Sequence, residues 1–390
     1  MTMTIETFRE EIREWLNENY TAQFKSSAEG SEDRREWIRR LADKGWIAPH
    51  WPKEYGGGGL NFQEHIALIQ EFRAANVIVP PDNGGQGLNM IGPTLLEYGT
   101  DEQKKRHLPK IARGEAQWCQ GYSEPGSGSD LASLSTRAVL DGDHYVVNGQ
   151  KIWTSGADVA DWIYVLVRTD PDALKHDGIS MVILDMNQPG VTVRPIQLIS
   201  GTSPFCETFF DDAIAVDLIG KPNHGWTIGK RLLQHERSGI SGMGAGGASA
   251  RSTEPQVYYL AELAKRYAGE TDDGGIADPV FRDEIIQHRL NQLSFQLTLA
   301  RTREENVSGS TLGPTTSIFK AVGANLSKTE TSLQVRLMGS QGTGWEGDGF
   351  TAAELGATRM WLGSRASSIA GGTNEVQLNI IAKRVLGLPD

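Results

Sequence analysis

Apolar and polar positions change their rhythm twice along the chain. Ile5, Phe8, Ile12, Trp15 and Leu16 recur at helical spacing and predict an amphipathic first helix. A second is expected from about Ser31, with Trp37, Ile38 and Leu41 on one face and a stop near Gly45. WPKEYGGGGL reads as a loop, and Phe62, Ile66, Ile69 and Phe72 mark the next helix. Past a break at PPDNGGQG, the runs GPTLLEYG and DEQKKRHLPKIARG predict two short helices, the second with Asp101 as N-cap. From about residue 118 the period shortens. Residues 135–140, 144–147, 162–167, 179–184, 191–195 and 207–210 read as strands. Turn signals such as Asp141-Gly142-Asp143, Asn148-Gly149, Asp170-Pro171-Asp172 and Gln188-Pro189-Gly190 punctuate them. Strands at this spacing predict an antiparallel barrel or sandwich, and from Gly225 onward the pattern is helical again. The chain is therefore expected to be mainly α with a β domain, divided at 1–117, 118–222 and 223–390.

Three stretches carry candidate chemistry. Residues 120–130, QGYSEPGSGSD, combine a Pro125 bend with Gly126 and Gly128, which allow positive φ and a close ligand, and with the short hydroxyls of Ser123, Ser127 and Ser129. This suits an anionic ligand lying against backbone N–H groups, or else a plain glycine-rich surface loop. In GWTIGKRLLQHERSGISG, Ile228, Leu232, Glu236 and Ile240 lie four apart on one helical stripe. A carboxylate in an apolar line is costly unless paired or functional; the alternative is that His235-Glu236-Arg237 is a solvated charged patch. In SSIAGGTNEVQLNIIAKRVLGLP, Thr373 or Asn374 can cap a helix, Asn374 forming a capping box with Gln377. Such an N-terminus, kept slim by Gly371 and Gly372, suits phosphate, or is simply a glycine-rich cap.

Composition narrows the field. With 38 basic and 49 acidic residues the formal net charge is −11, which argues against general nucleic-acid binding. Cys119 and Cys206 make neither a disulfide framework nor a metal cluster, so no metal is expected and a reducing compartment is. The Glu-rich start MTMTIETFREEIREW fits neither a signal nor a transit peptide, and no apolar run approaches the ~18 residues that span a membrane. A cytoplasmic protein is expected.

The 120–130 loop, the Trp153-Thr154-Ser155 run that follows, and the approach GPTLLEYGTDEQKKRHLPKIARGE together resemble the acyl-CoA dehydrogenase family over nearly the whole chain. The resemblance implies an N-terminal helical domain, a middle antiparallel β-barrel and a C-terminal four-helix bundle, with FAD as cofactor. It implies that Gln120, Tyr122, Ser123, Gly128 and Ser129 cradle the FAD and that Trp153, Thr154 and Ser155 close over the flavin ring. It adds Thr373, Asn374 and Glu375 as FAD contacts, and Ser129, Arg237, Gly371 and Thr373 as contacts to an acyl-CoA substrate. Most members carry their catalytic Glu two residues before the Thr, where this chain has Gly371. One branch, including isovaleryl-CoA and long-chain dehydrogenases, instead has Glu followed by Arg at the place of Glu236-Arg237. The implied reaction is α,β-desaturation of an acyl-CoA thioester, Glu236 being the base, with electrons passing to an electron-transferring flavoprotein.

Two departures bear on assembly. Members usually carry an Arg-x-Phe-Gly segment and a Gly-Gly-x-Gly turn that complete a neighbour's FAD site. Here the corresponding stretches are LAKRYAGETDDGGIADPVFRD, with no clear match, and Gly339-Ser340-Gln341-Gly342. These departures, with GWEGDGF at 344–350, resemble bacterial members built as α2β2 heterotetramers of unlike homologues, the alternative being a homotetramer. A catalytically silent subunit and an acyl-CoA oxidase are the rival readings. The sequence does not name the acyl group; a branched or bulky one, such as a steroid side chain, is compatible.

Overall fold

The computed structural model describes residues 4–28, 31–80, 85–240, 257–307 and 315–389, with the backbone alone at 236–240, 257–258 and 303–307. The chain divides into two compact units. One holds the described residues up to Ile196 together with Pro204–Gly239; the other holds Gln197–Ser203 and the described residues from 257 onward.

In the first unit, helix α1 (Ile5–Asn19) starts at the Thr4 cap and buries Phe8, Ile12 and Leu16. A single turn, α2 (Ala22–Lys25), precedes α3 (Glu32–Asp43), whose Ser31 cap accepts from the Arg34 N–H at 3.2 Å and whose Trp37 and Leu41 are wholly buried. The expected stop at Gly45 has φ +68, where a Cβ would lie 2.6 Å from the Gly57 carbonyl carbon. Helix α4 (Phe62–Ala74) forms where Phe62, Ile66, Ile69 and Phe72 predict it, but of these four only Phe72 is buried. Phe62 and Ile66 are 54% and 39% exposed, while His65, Leu68, Glu71 and Phe72 are buried. The cause is Glu71, which turns inward to meet Arg9 at 2.7 Å and Arg13 at 2.9 Å on α1. Helices α5 (Gly92–Tyr98) and α6 (Asp101–Ala112) follow. The cap of α6 is Thr100, in a capping box with Gln103, and not Asp101, which occupies the first helical position.

Seven strands follow: β1 (Trp118–Gly121), β2 (Arg137–Asp141), β3 (His144–Ser155), β4 (Trp162–Arg168), β5 (Ile179–Asp185), β6 (Val191–Ile196) and β7 (Phe205–Ile219). Pairings β4–β5, β5–β7, β7–β3, β3–β2 and β2–β4 close a barrel, with β6 added to β7. Most pairs are antiparallel, but β1 and β2 each meet β4 in parallel. Strand β4 shows why its sequence is continuously apolar. Ile163, Val165 and Val167 fill the barrel, while Tyr164 and Leu166 join the core shared with the helices. Asn148-Gly149 is not a hairpin turn: β3 runs through it at a bulge. Gly149 has φ +150 and lies so close to Thr136 that a Cβ would stand 2.6 Å from its Oγ1. The extra residue belongs to β7, at Asp212 with φ +51, and Asn148 Nδ2 donates to the Asp212 carboxylate at 2.9 Å. Helix α7 (Gly225–Ile240) leaves the barrel with Gly225 against β5, where a Cβ would be 2.3 Å from the Ser180 carbonyl carbon.

The second unit is a helical bundle of α8 (Val257–Ala268), α9 (Pro279–Val307), α10 (Thr316–Met338) and α11 (Ala352–Ser364), followed by α12 (Asn374–Ile380). All the others pack on α10. Leu260, Leu263, Ile285, Leu333 and Leu337 form its core, and Tyr267 donates to Glu354 at 2.6 Å, tying the end of α8 to α11.

Candidate active site

Strand β1 delivers Gln120 and then Tyr122 to the loop that precedes β2. The loop folds back on itself as Glu124 and Ser127 exchange backbone hydrogen bonds at 3.0 Å. The Ser127 hydroxyl is spent inside, donating to the carbonyls of Asp130 and Leu131 at 2.9 and 3.1 Å. Gly128 and Ser129 are exposed at the open edge. Neither Gly126 nor Gly128 has positive φ, which corrects the conformational reason for them; a Cβ at either would meet nothing within 4 Å, so the space beside the backbone is what remains open.

The second segment, Trp153-Thr154-Ser155, sits on a bulge of β3. Lys151 pairs with Thr208 and Thr154 with Cys206, so β3 carries one extra residue. That residue is accommodated at Trp153, whose φ of +62 is left-handed, a conformation bulky side chains seldom adopt. The bulge turns the indole outward, 53% exposed and edge-on to Phe205. The two segments are joined directly, since the Ile152 N–H donates to the Ser123 carbonyl at 2.9 Å. Two polar atoms beside them, Gln120 Nε2 and Thr154 Oγ1, are buried without a protein partner. Buried polar groups are nearly always paired, so both have bonding capacity left for a ligand.

Beneath the loop lies a pair that sequence reasoning passed over, although Glu124 falls within the 120–130 loop and Lys151 stands two residues before Trp153. Lys151 is fully buried, with Nζ 2.8 Å from Glu124 Oε1 and 3.1 Å from the Tyr122 carbonyl. Glu124 also accepts from the Ser135 N–H and hydroxyl at 2.7 and 2.8 Å and from the Thr136 N–H at 2.9 Å. Burial alone would raise the Glu124 pKa, but the Lys151 ammonium and these donors reverse it to about 2. For Lys151 burial wins over the pull of Glu124 and lowers the pKa to about 8. The asymmetry follows from the partners: the carboxylate has four donors, the fully buried ammonium two acceptors.

Helix α7 passes Tyr122 closely, since a Cβ at Gly229 would stand 3.4 Å from the Tyr122 hydroxyl. Ile228 and Leu232 are buried as expected, and Glu236 occupies the next position of that stripe on the helix, followed by Arg237. The preceding turn is held from α5. Arg231 meets both Glu97 oxygens, and His235 Nε2 stands 3.2 Å from Glu97 Oε1, although outside hydrogen-bond alignment. His50 and His65 stack nearby with ring centroids 5.3 Å apart. Burial and then the neighbouring His50 push the His65 pKa down to about 4.

The remaining candidates lie in the second unit. Gly371 and Gly372 have φ +67 and +93. Thr373 caps α12, accepting from the Val376 N–H at 3.3 Å. The expected Asn374–Gln377 capping box does not form, because Gln377 is buried and donates back to the Gly371 carbonyl at 3.0 Å. Asn374 instead faces α10, where Lys320 Nζ donates to its Oδ1 at 3.4 Å, while Glu375 is exposed. The Lys320 cation was not among the sequence candidates. Among the described residues no group of three or more His, Cys, Asp or Glu could hold a metal ion, and no helix is long and apolar enough to cross a membrane.

A helical domain, a closed barrel and a helical bundle, with a glycine-serine loop latched to a tryptophan-bearing bulge, define the class. Residues 2–115, 119–213 and 223–386 match the acyl-CoA dehydrogenase N-terminal, middle and C-terminal domains. The chain belongs to the acyl-CoA dehydrogenase family. Acyl-CoA dehydrogenase IpdE1 of Mycobacterium tuberculosis is 38% identical over 403 residues, spanning 99% of this chain and 98% of that protein. Among solved structures, the Tcur3481-Tcur3483 steroid ACAD is 30% identical, with a TM-score of 0.75 and 100% of both chains covered. The ChsE4-ChsE5 complex from Mycobacterium tuberculosis is 30% identical, with a TM-score of 0.74 over 100% of this chain and 99% of that one.

Proposed function

We propose that this acyl-CoA dehydrogenase binds FAD and desaturates the α,β bond of a bulky acyl-CoA thioester, with Glu236 as the base. The observation that carries the reading is the place of Glu236 one turn beyond buried Leu232, on a helix that passes Tyr122, in a chain with glycine at 371. Gln120 and Thr154 fit FAD through their unpartnered buried atoms, Gly128 through the open space beside it, and Ser129 through its exposure at the same edge. Thr373, Asn374 and Glu375 are assigned to the same cofactor by family resemblance. When bound, FAD supplies the acceptor for the two electrons that leave with the β-hydrogen. Glu236 takes the α-proton as its C–H bond breaks, and Arg237 and Ser129 hold the substrate. By the family resemblance, the Thr373 N–H is assigned as the donor to the thioester oxygen, where negative charge builds up. By the same resemblance, Trp153 and Ser155 would hold the flavin ring.

Two solved relatives support a steroid-side-chain substrate and a heteromeric assembly, one being named a steroid ACAD and the other a two-component complex. The α9 face of Ile286, Leu290 and Leu297, 53%, 52% and 70% exposed, offers apolar surface for a second subunit, whether identical or not. Electron-transferring flavoprotein is the proposed acceptor, and buried, free Cys119 and Cys206 fit a reducing cytoplasm. The test is anaerobic titration of the protein, alone and co-purified with an acyl-CoA dehydrogenase homologue, with straight-chain, branched and steroid-side-chain CoA thioesters. Bleaching of the flavin absorbance by the bulky thioesters is expected. Bleaching by none, or by short straight chains only, contradicts the reading.

A further inference from the structure

We propose that Lys151 is a positioning residue, its buried pair with Glu124 holding Trp153 in the left-handed bulge and fixing the strand segment 153–155 against the loop at 122–124. The inference rests on the reading that these two segments form the flavin site, but its first readout does not need the flavin.

A left-handed tryptophan is strained, and it persists only where its surroundings over-determine it. On one side of Trp153 the backbone is pinned by Ile152 N–H to the Ser123 carbonyl, and by the Lys151 ammonium to the Tyr122 carbonyl and the Glu124 carboxylate. On the other side Thr154 rejoins the ladder opposite Cys206. The pair therefore clamps the bulge to the loop, and it does so without touching the exposed indole. Glu124 is itself immobilised by Ser135 and Thr136, so the clamp is anchored at the start of β2. A buried pair of this kind adds little net stability compared with neutral side chains of the same shape. Its specific product is geometry: one distance between the loop and the bulge.

The charged groups around Lys151 are Glu124, which favours its proton, and Arg168 on β4, which disfavours it. With a pKa near 8, the ammonium is lost in a window where Glu124, near 2, stays ionised. The clamp should therefore open reversibly as the pH rises through about 8.

The experiment compares the wild-type protein with Lys151→Met/Glu124→Gln, which removes both charges at once and leaves neither buried alone. Trp153 emission is isolated by subtracting the corresponding Trp153→Phe protein in each background. Expected are an unchanged far-ultraviolet spectrum, a shifted Trp153 emission, and FAD affinity lowered about tenfold, in keeping with loss of charge-assisted contacts behind the site. In the wild type, the Trp153 signal should change reversibly between about pH 7 and 9, centred near 8. If the double variant does not fold, this pH arm decides alone. Unchanged Trp153 emission in the variant, or a flat signal across the window in the wild type, would overturn the proposal. A wild-type protein that binds no FAD sinks the reading of the site instead, and leaves the Trp153 arm standing.

Discussion

Glu97 on α5 grips Arg231 on α7 through both carboxylate oxygens, with Nε 2.9 Å from Oε2 and Nη2 2.8 Å from Oε1. His235, next to Glu236, stands 3.2 Å from the same carboxylate. The contact sets the rotation of the turn before the proposed base. Because both side chains are partly exposed, Glu97→Gln should cost about 1 kcal/mol of stability or less. Its effect on chemistry should be larger, a fall in single-turnover flavin reduction of about tenfold or more, because small misplacements of a base are costly. Thermal unfolding and stopped-flow reduction of the same preparation check this. A clear drop in Tm with an unchanged rate would make the contact merely structural.

Acid should weaken the N-terminal helical region through its histidines. The His65 pKa, lowered by burial and then by His50, lies near 4 in the folded chain against about 6.5 when free. The folded state thus binds fewer protons in that window. Its stability is full above about pH 6.5 and declines as the pH falls toward 4, by at most about 3 kcal/mol from this residue. His50 and His235, also lowered first by burial, act in the same direction. Urea midpoints measured from about pH 4 to 8 should therefore climb less steeply with pH in His65→Gln than in the wild type. Parallel curves would remove His65 from the account.

How much of this was legible in the sequence depended on whether the cause was local. The spacing of Phe8, Ile12 and Leu16 gave the buried face of α1 because nothing distant competes with it. The buried face of α4 was not legible, because Arg9 and Arg13, 62 and 58 residues away in sequence, draw Glu71 inward. Asn148-Gly149 carries a turn signal, yet β7 continues alongside and converts it into a bulge. In the same way the glycine-serine loop and the Trp153 segment could be named, but not the Glu124–Lys151 pair, whose partners are 27 residues apart and meet only when β3 folds under the loop. Lys320 lay outside every motif and meets Asn374 across 54 residues.

Assembly can be tested through cofactor retention. The stretch from Tyr267 to Asp283, where a neighbour-reaching cation would be expected, is occupied by the end of α8, a Glu270–Ile276 bridge and the start of α9. An unlike partner that keeps the cation would restore a strong contact to the FAD diphosphate. The lone chain should therefore lose most of its flavin on gel filtration, and the pair with a co-expressed homologue should retain it at about half of all chains. One tightly held FAD per chain in a homotetramer would contradict the heteromeric assembly while leaving the chemistry untouched.

The role of Glu236 is tested most directly by anaerobic stopped-flow reduction of Glu236→Gln, prepared with the same flavin content as the wild type. The substitution keeps the size and shape of the side chain while removing its negative charge and its capacity to take a proton. Flavin reduction by a thioester that bleaches the wild type should slow by at least about a hundredfold, the usual share of a general base, while thioester binding still perturbs the flavin spectrum. Reduction at a rate near that of the wild type would contradict the assignment.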